Sequence, residues 1–144
     1  MIRVAFVTGG ASGIGQAIAL GFIREGCRRI VIADVNETGL EETRSEGLKI
    51  SKDAKIVPVK CDISNEDAVN NAVETAVNAF GKLDYAVNCA GFPGEFALTT
   101  EYNIKDFDRV QEVNVRGTWL CMRAQIKQMM TQPRGESDQY VSPS

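Results

Sequence analysis

The sequence contains no histidine. That removes Ser-His-Asp and Cys-His nucleophilic catalysis at once, together with every histidine-ligated metal centre. Cysteine is sparse: Cys27, Cys61, Cys89 and Cys121 lie far apart, mostly inside apolar segments, with no Cys-x-x-Cys pair. Neither a zinc site nor a disulfide framework is expected from that spacing, and the four read as reduced core residues. No run reaches the ~20 apolar residues of a membrane-crossing helix. There is no basic tract, and a net charge of −3 argues against nucleic-acid binding driven by phosphate neutralisation. The first apolar run begins at residue 2 or 3, which leaves no room for a signal peptide. The expectation is a cytoplasmic protein with no bound metal and with neither membrane nor nucleic acid as partner.

What is present is the composition of an ordinary globular protein, 44% hydrophobic and 24% charged over 144 residues, enough for one domain with a core. The stretch that organises the rest is Thr8-Gly9-Gly10-Ala11-Ser12-Gly13-Ile14-Gly15, which joins an apolar run at 3–7 to an amphipathic one starting at Ile14. A strand that turns directly into a helix gathers unpaired backbone N–H groups and the positive end of the helix dipole at one spot, where an anion is stabilised. Glycines at 9, 13 and 15 suit a tight turn, close approach of phosphates and close packing of helix on strand. The spacing G-x3-G-x-G departs from the general G-x-G-x-x-G pattern but serves the same ends.

Ile14, Ala17, Ile18, Gly21, Phe22 and Glu25 mark a first helix, which Gly26 ends. Residues 29–34 form a β-branched run too continuous to alternate, as in a parallel strand buried on both faces. Its terminal Asp34 lies about 20 residues past the glycines, where a dinucleotide fold places an acid against the adenosine ribose. A carboxylate there accepts from both ribose hydroxyls and repels a 2′-phosphate, which favours NAD over NADP; a strand-end Asp capping the next helix is the competing explanation. Residues 36–53 predict an exposed, weak helix interrupted by Gly39 and Gly47. Residues 55–60 predict a third strand, placed at the edge by Pro58, in the order 3-2-1-4. After it come Cys61-Asp62-Ile63-Ser64, which alone could be a turn with Ser64 or Asn65 as helix cap. Residues 65–80 are the clearest helix, stopped by Gly81; residues 83–88 predict the fourth strand. The loop 92–103 is a plausible pocket mouth.

From about 105 to 130 a long helix is expected with two apolar stripes. Phe107, Val110, Val113, Gly117, Cys121 and Ala124 suit packing on the sheet. Val115, Trp119, Met122, Ile126 and Met129 repeat at four and three spacing, like a short coiled-coil seam.

The segment TGGASGIG resembles the cofactor fingerprint of the short-chain dehydrogenase/reductase family. Asp62 and Ile63 resemble that family's Asp-plus-aliphatic element beside the adenine. Asn88-Cys89-Ala90-Gly91 resembles its Asn-Asn-Ala-Gly element, with Cys89 replacing the second Asn, and Asn114-Val115-Arg116-Gly117 resembles its N-x-x-G segment. The resemblance implies an α/β, Rossmann-type doubly wound parallel sheet over residues 1–130, incomplete after the fourth strand and the long helix. It implies that Thr8, Gly9, Ser12, Gly13, Ile14, Gly15, Asp34, Asp62, Ile63, Asn88, Ala90 and Gly91 bind the dinucleotide. Asn114 is the one catalytic residue it supplies, holding a water in a proton relay. Ser12, Val35 and Asn36 stand where NADP-preferring members carry a basic residue, so NAD is the expected cofactor. The helix at 105–130 implies association with a second copy of the chain.

The family's Tyr-x-x-x-Lys does not occur within the 144 residues; four positions after Tyr140 stands Ser144. By family spacing the Tyr lies on the order of forty residues beyond Asn114, in a domain of up to ~250 residues. The polar stretch 131–144 is expected to be disordered, with Arg134-Gly135 a turn toward a fifth strand. A fourth strand without an outer neighbour would leave an unpaired edge, weakened cofactor binding and poor solubility. A truncated gene model, an alternative transcript and a pseudoenzyme all fit this pattern. Two functions follow: an NAD-dependent oxidoreductase acting on an alcohol or carbonyl, and a non-catalytic dinucleotide-binding or interaction protein.

Overall fold

A computed structural model describes residues 2–133 of the chain. The expectations for 134–144, including the turn at Arg134-Gly135 and the character of the tail around Tyr140, lie outside these residues. Strands and helices alternate: β1 (Val4–Thr8), α1 (Gly13–Arg24), β2 (Arg29–Asp34), α2 (Glu37–Ile50), β3 (Lys55–Lys60), α3 (Glu66–Phe80), β4 (Tyr85–Asn88), α4 (Ile104–Gln111), a π-helical turn (Glu112–Gly117) and α5 (Thr118–Met130). The four strands are all parallel, in the order β3-β2-β1-β4. This is the doubly wound sheet that the sequence predicts. β3 is an edge strand, so Pro58 loses no ladder partner on its outer side.

Alternation along each strand divides the core into two layers. Phe6, Val31 and Ala33 face α3 and α5, in a cluster with Val69, Val73, Leu83 and Leu120. Ala5, Val7, Ile30 and Ile32 face α1 and α2, with Ala19, Ile23 and Leu40. Every residue of β1 is buried, and burying each Val or Ile side chain contributes roughly 1.5–3 kcal/mol. The central strand must therefore be apolar on both faces.

Three local expectations are corrected. The buried face of α1 is Gly15, Ala19 and Ile23, not the stripe beginning at Ile14. Ile14 is 75% exposed because it sits over the end of the sheet. Helix α2 runs unbroken through Gly39 and Gly47, and both are buried. A Cβ on Gly39 would lie 2.6 Å from the Ala11 carbonyl oxygen, and one on Gly47 would lie 2.4 Å from Ile56 Cδ1. These glycines permit close packing and do not interrupt the helix.

The third correction concerns the long helix. Its turn at Glu112–Gly117 is π-helical, and the added residue per turn shifts the phase between α4 and α5. Phe107, expected on the sheet, is exposed. After the π turn the buried line is Gly117, Leu120, Cys121 and Gln125, and Met129 packs on the core instead of facing outward.

Helices α2, α3 and α4 begin with Asn36, Asn65 and Asn103, each accepting a backbone N–H with its side chain. Gly81, in the left-handed conformation at φ 78°, ends α3.

Burial pushes the Cys61 thiol up to about 11 and the Cys121 thiol up to about 12, from an ordinary 9.0. The folded state holds both protons more tightly than the unfolded chain does. Their contribution to stability is therefore complete below about pH 9 and lost as pH rises toward 11–12. Urea unfolding at about pH 8 and about pH 10.5 should show a falling stability, at most ~1.4 kcal/mol per pH unit per thiol. Cys121→Ala should flatten the slope, and an unchanged slope in that variant contradicts the assignment.

Candidate cofactor-binding site

The carboxyl ends of the parallel strands surround a cavity of about 400 Å³. Its floor is the turn from β1 to α1. Gly9 and Gly10 both donate to the Ala33 carbonyl, at 2.8 and 3.3 Å, which ties the turn to β2. The first helical bond runs from Gln16 N to Ser12 O at 3.2 Å. The N–H groups of Gly13, Ile14 and Gly15 precede it and have no acceptor in the helix. Ser12 makes no side-chain cap bond, and the first turn carries no acid. Helices α2, α3 and α4 each have an Asn cap and an acidic residue in the first turn. The start of α1 alone among them keeps its donors and its dipole charge uncompensated, and it does so inside the cavity.

The glycines are fixed by contact. Gly9 has φ 70°, and a Cβ there would lie 2.7 Å from Ala90 N; a Cβ on Gly15 would lie 2.1 Å from the Gly9 carbonyl oxygen. Gly13 has φ 54° and meets nothing within 4 Å, so its open side belongs to the cavity. Gly9, Ser12, Gly13, Ile14 and Gly15 all line it.

On the β2 side, the Asp34 carboxylate accepts from Ala11 N at 3.2 Å and from Asn36 N at 3.1 Å. It does not cap α2, which Asn36 does; these bonds hold the carboxylate toward the cavity that Asp34 lines. Beyond β3, Asp62 Oδ1 accepts from the Ser64 hydroxyl at 2.7 Å and the Ser64 N–H at 3.0 Å. Those two bonds, with a smaller contribution from the nearby Arg109 charge, hold its carboxyl below the usual carboxylate range against the opposing effect of burial. Ile63, Ala90 and Gly91 complete the expected lining.

Three expected residues do not line the cavity. Thr8 is buried, and its Oγ1 accepts from Cys89 N at 3.1 Å and Ala90 N at 3.2 Å. It positions the loop that does. Asn88 forms a reciprocal amide pair with Gln125, at 2.8 and 3.0 Å, so its side chain anchors α5 to β4. Asn114 spends its amide on one residue: Oδ1 accepts from Phe92 N at 2.7 Å and Nδ2 donates to Phe92 O at 2.9 Å. In this geometry it fastens the loop beyond β4.

Several residues were not anticipated. Arg109 and Val113, from the helix after the loop, line the cavity; the Arg109 guanidinium lies 5.2 Å from the centre of the Phe92 ring. No local pattern in the sequence separates Arg109 from a solvated helix charge. Thr43, buried in α2, donates to Gly10 O at 2.8 Å and accepts from Gln16 Nε2 at 2.8 Å, bracing the turn from behind. Gln125 is 2% exposed; a Gln in line with Gly117 and Cys121 was the signal available for it. Cys89 and Cys61 also line the cavity, both kept as neutral thiols by burial.

The two glycines should respond differently to alanine. Gly13→Ala meets no atoms and costs about 1–2 kcal/mol for the left-handed backbone. Gly15→Ala drives a methyl into backbone and should cost at least twice that. Urea denaturation of the two variants checks the ranking, and equal costs contradict it.

Comparison with known proteins agrees with this geometry. Residues 3–136 match the family model described as short chain dehydrogenase. A short-chain dehydrogenase of Penicillium roqueforti is 39% identical over 132 residues, covering 90% of this chain and 48% of that protein. The crystal structure of NAD+-bound xylitol dehydrogenase superimposes with a TM-score of 0.85 at 35% identity, over 90% of this chain and 49% of that one. Actinorhodin polyketide ketoreductase with NADPH gives 0.81 at 30% identity, over 89% and 48%. The chain spans about half the length of these relatives. With the glycine turn, the strand-end acid and the parallel sheet all in place, this chain belongs to the short-chain dehydrogenase/reductase family, which binds NAD or NADP.

Proposed function

We propose that the chain is the cofactor-holding part of an NAD-dependent oxidoreductase that oxidises alcohols or reduces carbonyls. The observation that carries the reading is the uncompensated start of α1 opening into a cavity with Asp34 fixed at its side. The N–H groups of Gly13, Ile14 and Gly15 would hold the diphosphate, Asp34 the adenosine ribose, and Asp62 with Ile63 the adenine. When bound, a nicotinamide dinucleotide supplies hydride transfer. Ala90 and Gly91 leave room for the chain to pass close to it, while Asn114 and Thr8 set the position of that loop. Asp34 disfavours a 2′-phosphate by charge, which supports NAD over NADP.

Of the 144 residues taken alone, we propose binding without turnover, because they contain no Tyr-x-x-x-Lys. The four free cysteines favour a reducing, cytoplasmic location; no helix among the described residues is long and apolar enough to cross a membrane. Val115, Trp119, Met122 and Ile126 form an exposed apolar stripe, and we propose a second copy of the chain as its partner.

Fluorescence titration should show NADH bound at least about tenfold more tightly than NADPH, a difference of ~1.4 kcal/mol. Asp34→Asn should close most of that gap. Equal affinities in the parent chain would remove the basis for the NAD assignment. Turnover of any member of an alcohol panel by the purified chain would overturn binding without catalysis. For self-association, sedimentation should show a concentration-dependent species larger than the monomer, lost in Trp119→Lys; a monomer at every concentration rejects it.

A further inference from the structure

Two opposite charges meet in the cofactor cavity without pairing. Asp62 follows β3, Arg109 stands in the last turn of α4, and both line the cavity. Arg109 is near enough for its charge to lower the Asp62 carboxyl, yet no ion pair joins them among the described residues. Asp62 Oδ1 accepts from the Ser64 hydroxyl and N–H. Its Oδ2 and the Arg109 guanidinium have no hydrogen-bond partner among the described residues.

Both groups are held in place. Asn114 takes both backbone groups of Phe92, and the Arg109 guanidinium lies 5.2 Å from the centre of the Phe92 ring, a cation–π contact. Further along the same helical segment, Gly117 lets the backbone pass close to Ile63, and Arg116 donates to Ser64 O at 2.7 Å. The helical segment that carries Arg109 is thereby fixed to the segment that carries Asp62. An arginine in the last turn of a helix ordinarily needs no role beyond complementing the dipole. This one is seated on a ring at the wall of a cavity that also holds a carboxylate.

An ionised carboxylate can only accept hydrogen bonds and a guanidinium can only donate them. The two, set apart without contact, fit a ligand edge that carries a donor beside an acceptor. Adenine has such an edge, its exocyclic N6 amine beside ring nitrogen N7; guanine presents two acceptors there, O6 and N7. A carbonyl oxygen in that place would meet the Asp62 carboxylate and be repelled.

We infer that Arg109 and Asp62 together read the base of the dinucleotide, Asp62 accepting from N6 and Arg109 donating to N7. The inference rests on the cofactor reading above and adds to it a residue that selects adenine.

Calorimetric titration of the chain with AMP, with GMP and with 7-deaza-AMP, in which C–H replaces N7, tests it. AMP should bind at least about fivefold more tightly than 7-deaza-AMP and at least about tenfold more tightly than GMP. Arg109→Gln should weaken AMP to the level of 7-deaza-AMP and leave 7-deaza-AMP within about twofold of its affinity for the parent chain, since a screened charge alone contributes little. Asp62→Asn should weaken AMP and 7-deaza-AMP by the same factor, because both keep N6. Both side chains are exposed, so the circular dichroism of each variant should match the parent. Equal affinity for AMP and 7-deaza-AMP, or a loss in Arg109→Gln that is the same for both, overturns the inference and leaves the cofactor reading standing. Absence of AMP binding overturns it too, and absence of NADH binding as well takes the cofactor reading with it.

Discussion

The structure depends on one close approach: a Cβ on Gly15 would lie 2.1 Å from the carbonyl oxygen of Gly9. Helix α1 therefore starts almost on top of the turn that leaves β1, and its first N–H groups are delivered into the cavity at the strand ends. Had any side chain stood at 15, the helix would have been pushed away and the donors with it. Gly9 pressed on the Ala90 backbone and Thr43 donating to Gly10 O hold the same turn from two further sides. An anion site made of backbone is rigid only when its backbone is fixed in this way, because no side-chain rotamer can correct it.

The two ends of the sheet divide the molecule's charge. At the carboxyl ends the donors are backbone N–H groups and the ionic groups are Asp34, Asp62 and Arg109. At the amino ends Arg29 and Lys55 stand side by side. The core between the ends is apolar on both faces of β1 and β2, and it separates the two groups of charges by the full length of the strands. What ties the sheet to the last helix is polar: Asn88 with Gln125, and Gln132, whose amide bonds the Leu83 N–H and C=O at 2.7 and 2.9 Å. Losing one partner of such a pair strands the other in the interior, at about 1–3 kcal/mol.

The π turn at Glu112–Gly117 decides how the loop beyond β4 is closed. It directs Asn114 onto the backbone of Phe92 and lets Gly117 pass close to Ile63, where a Cβ would lie 2.9 Å from Ile63 Cγ1. The same turn rotates α4 relative to α5, which exposes Phe107 and leaves Trp119 outward. Arg123 lies 5.4 Å from the Trp119 ring centre and 2.9 Å from Glu66, so this outward face is ordered at its polar margin.

The sequence by itself determined the order of the elements, the parallel sheet and the glycine turn, because each is written in local chemistry. Continuous β-branched runs suit parallel strands buried on both faces, and Gly9 and Gly15 stand where a side chain would strike backbone. It also determined which acid ends β2. What only the tertiary structure decided is the use of residues whose partners lie far along the chain. Gly39 and Gly47 read as helix breakers until Ala11 and Ile56 are seen against them. That the amides of Asn88 and Asn114 bond to Gln125 and to the Phe92 backbone is likewise visible only in the fold. Ile14, which belongs to the apolar helix pattern as well as to the expected cofactor residues, lies over the cavity, since a helix starting beyond the carboxyl end of its strand has no sheet beneath its first turn. Arg109, Gln125 and the pairing of Arg29 with Lys55 follow from strand register and helix phase, and neither is fixed by the residues nearby in sequence.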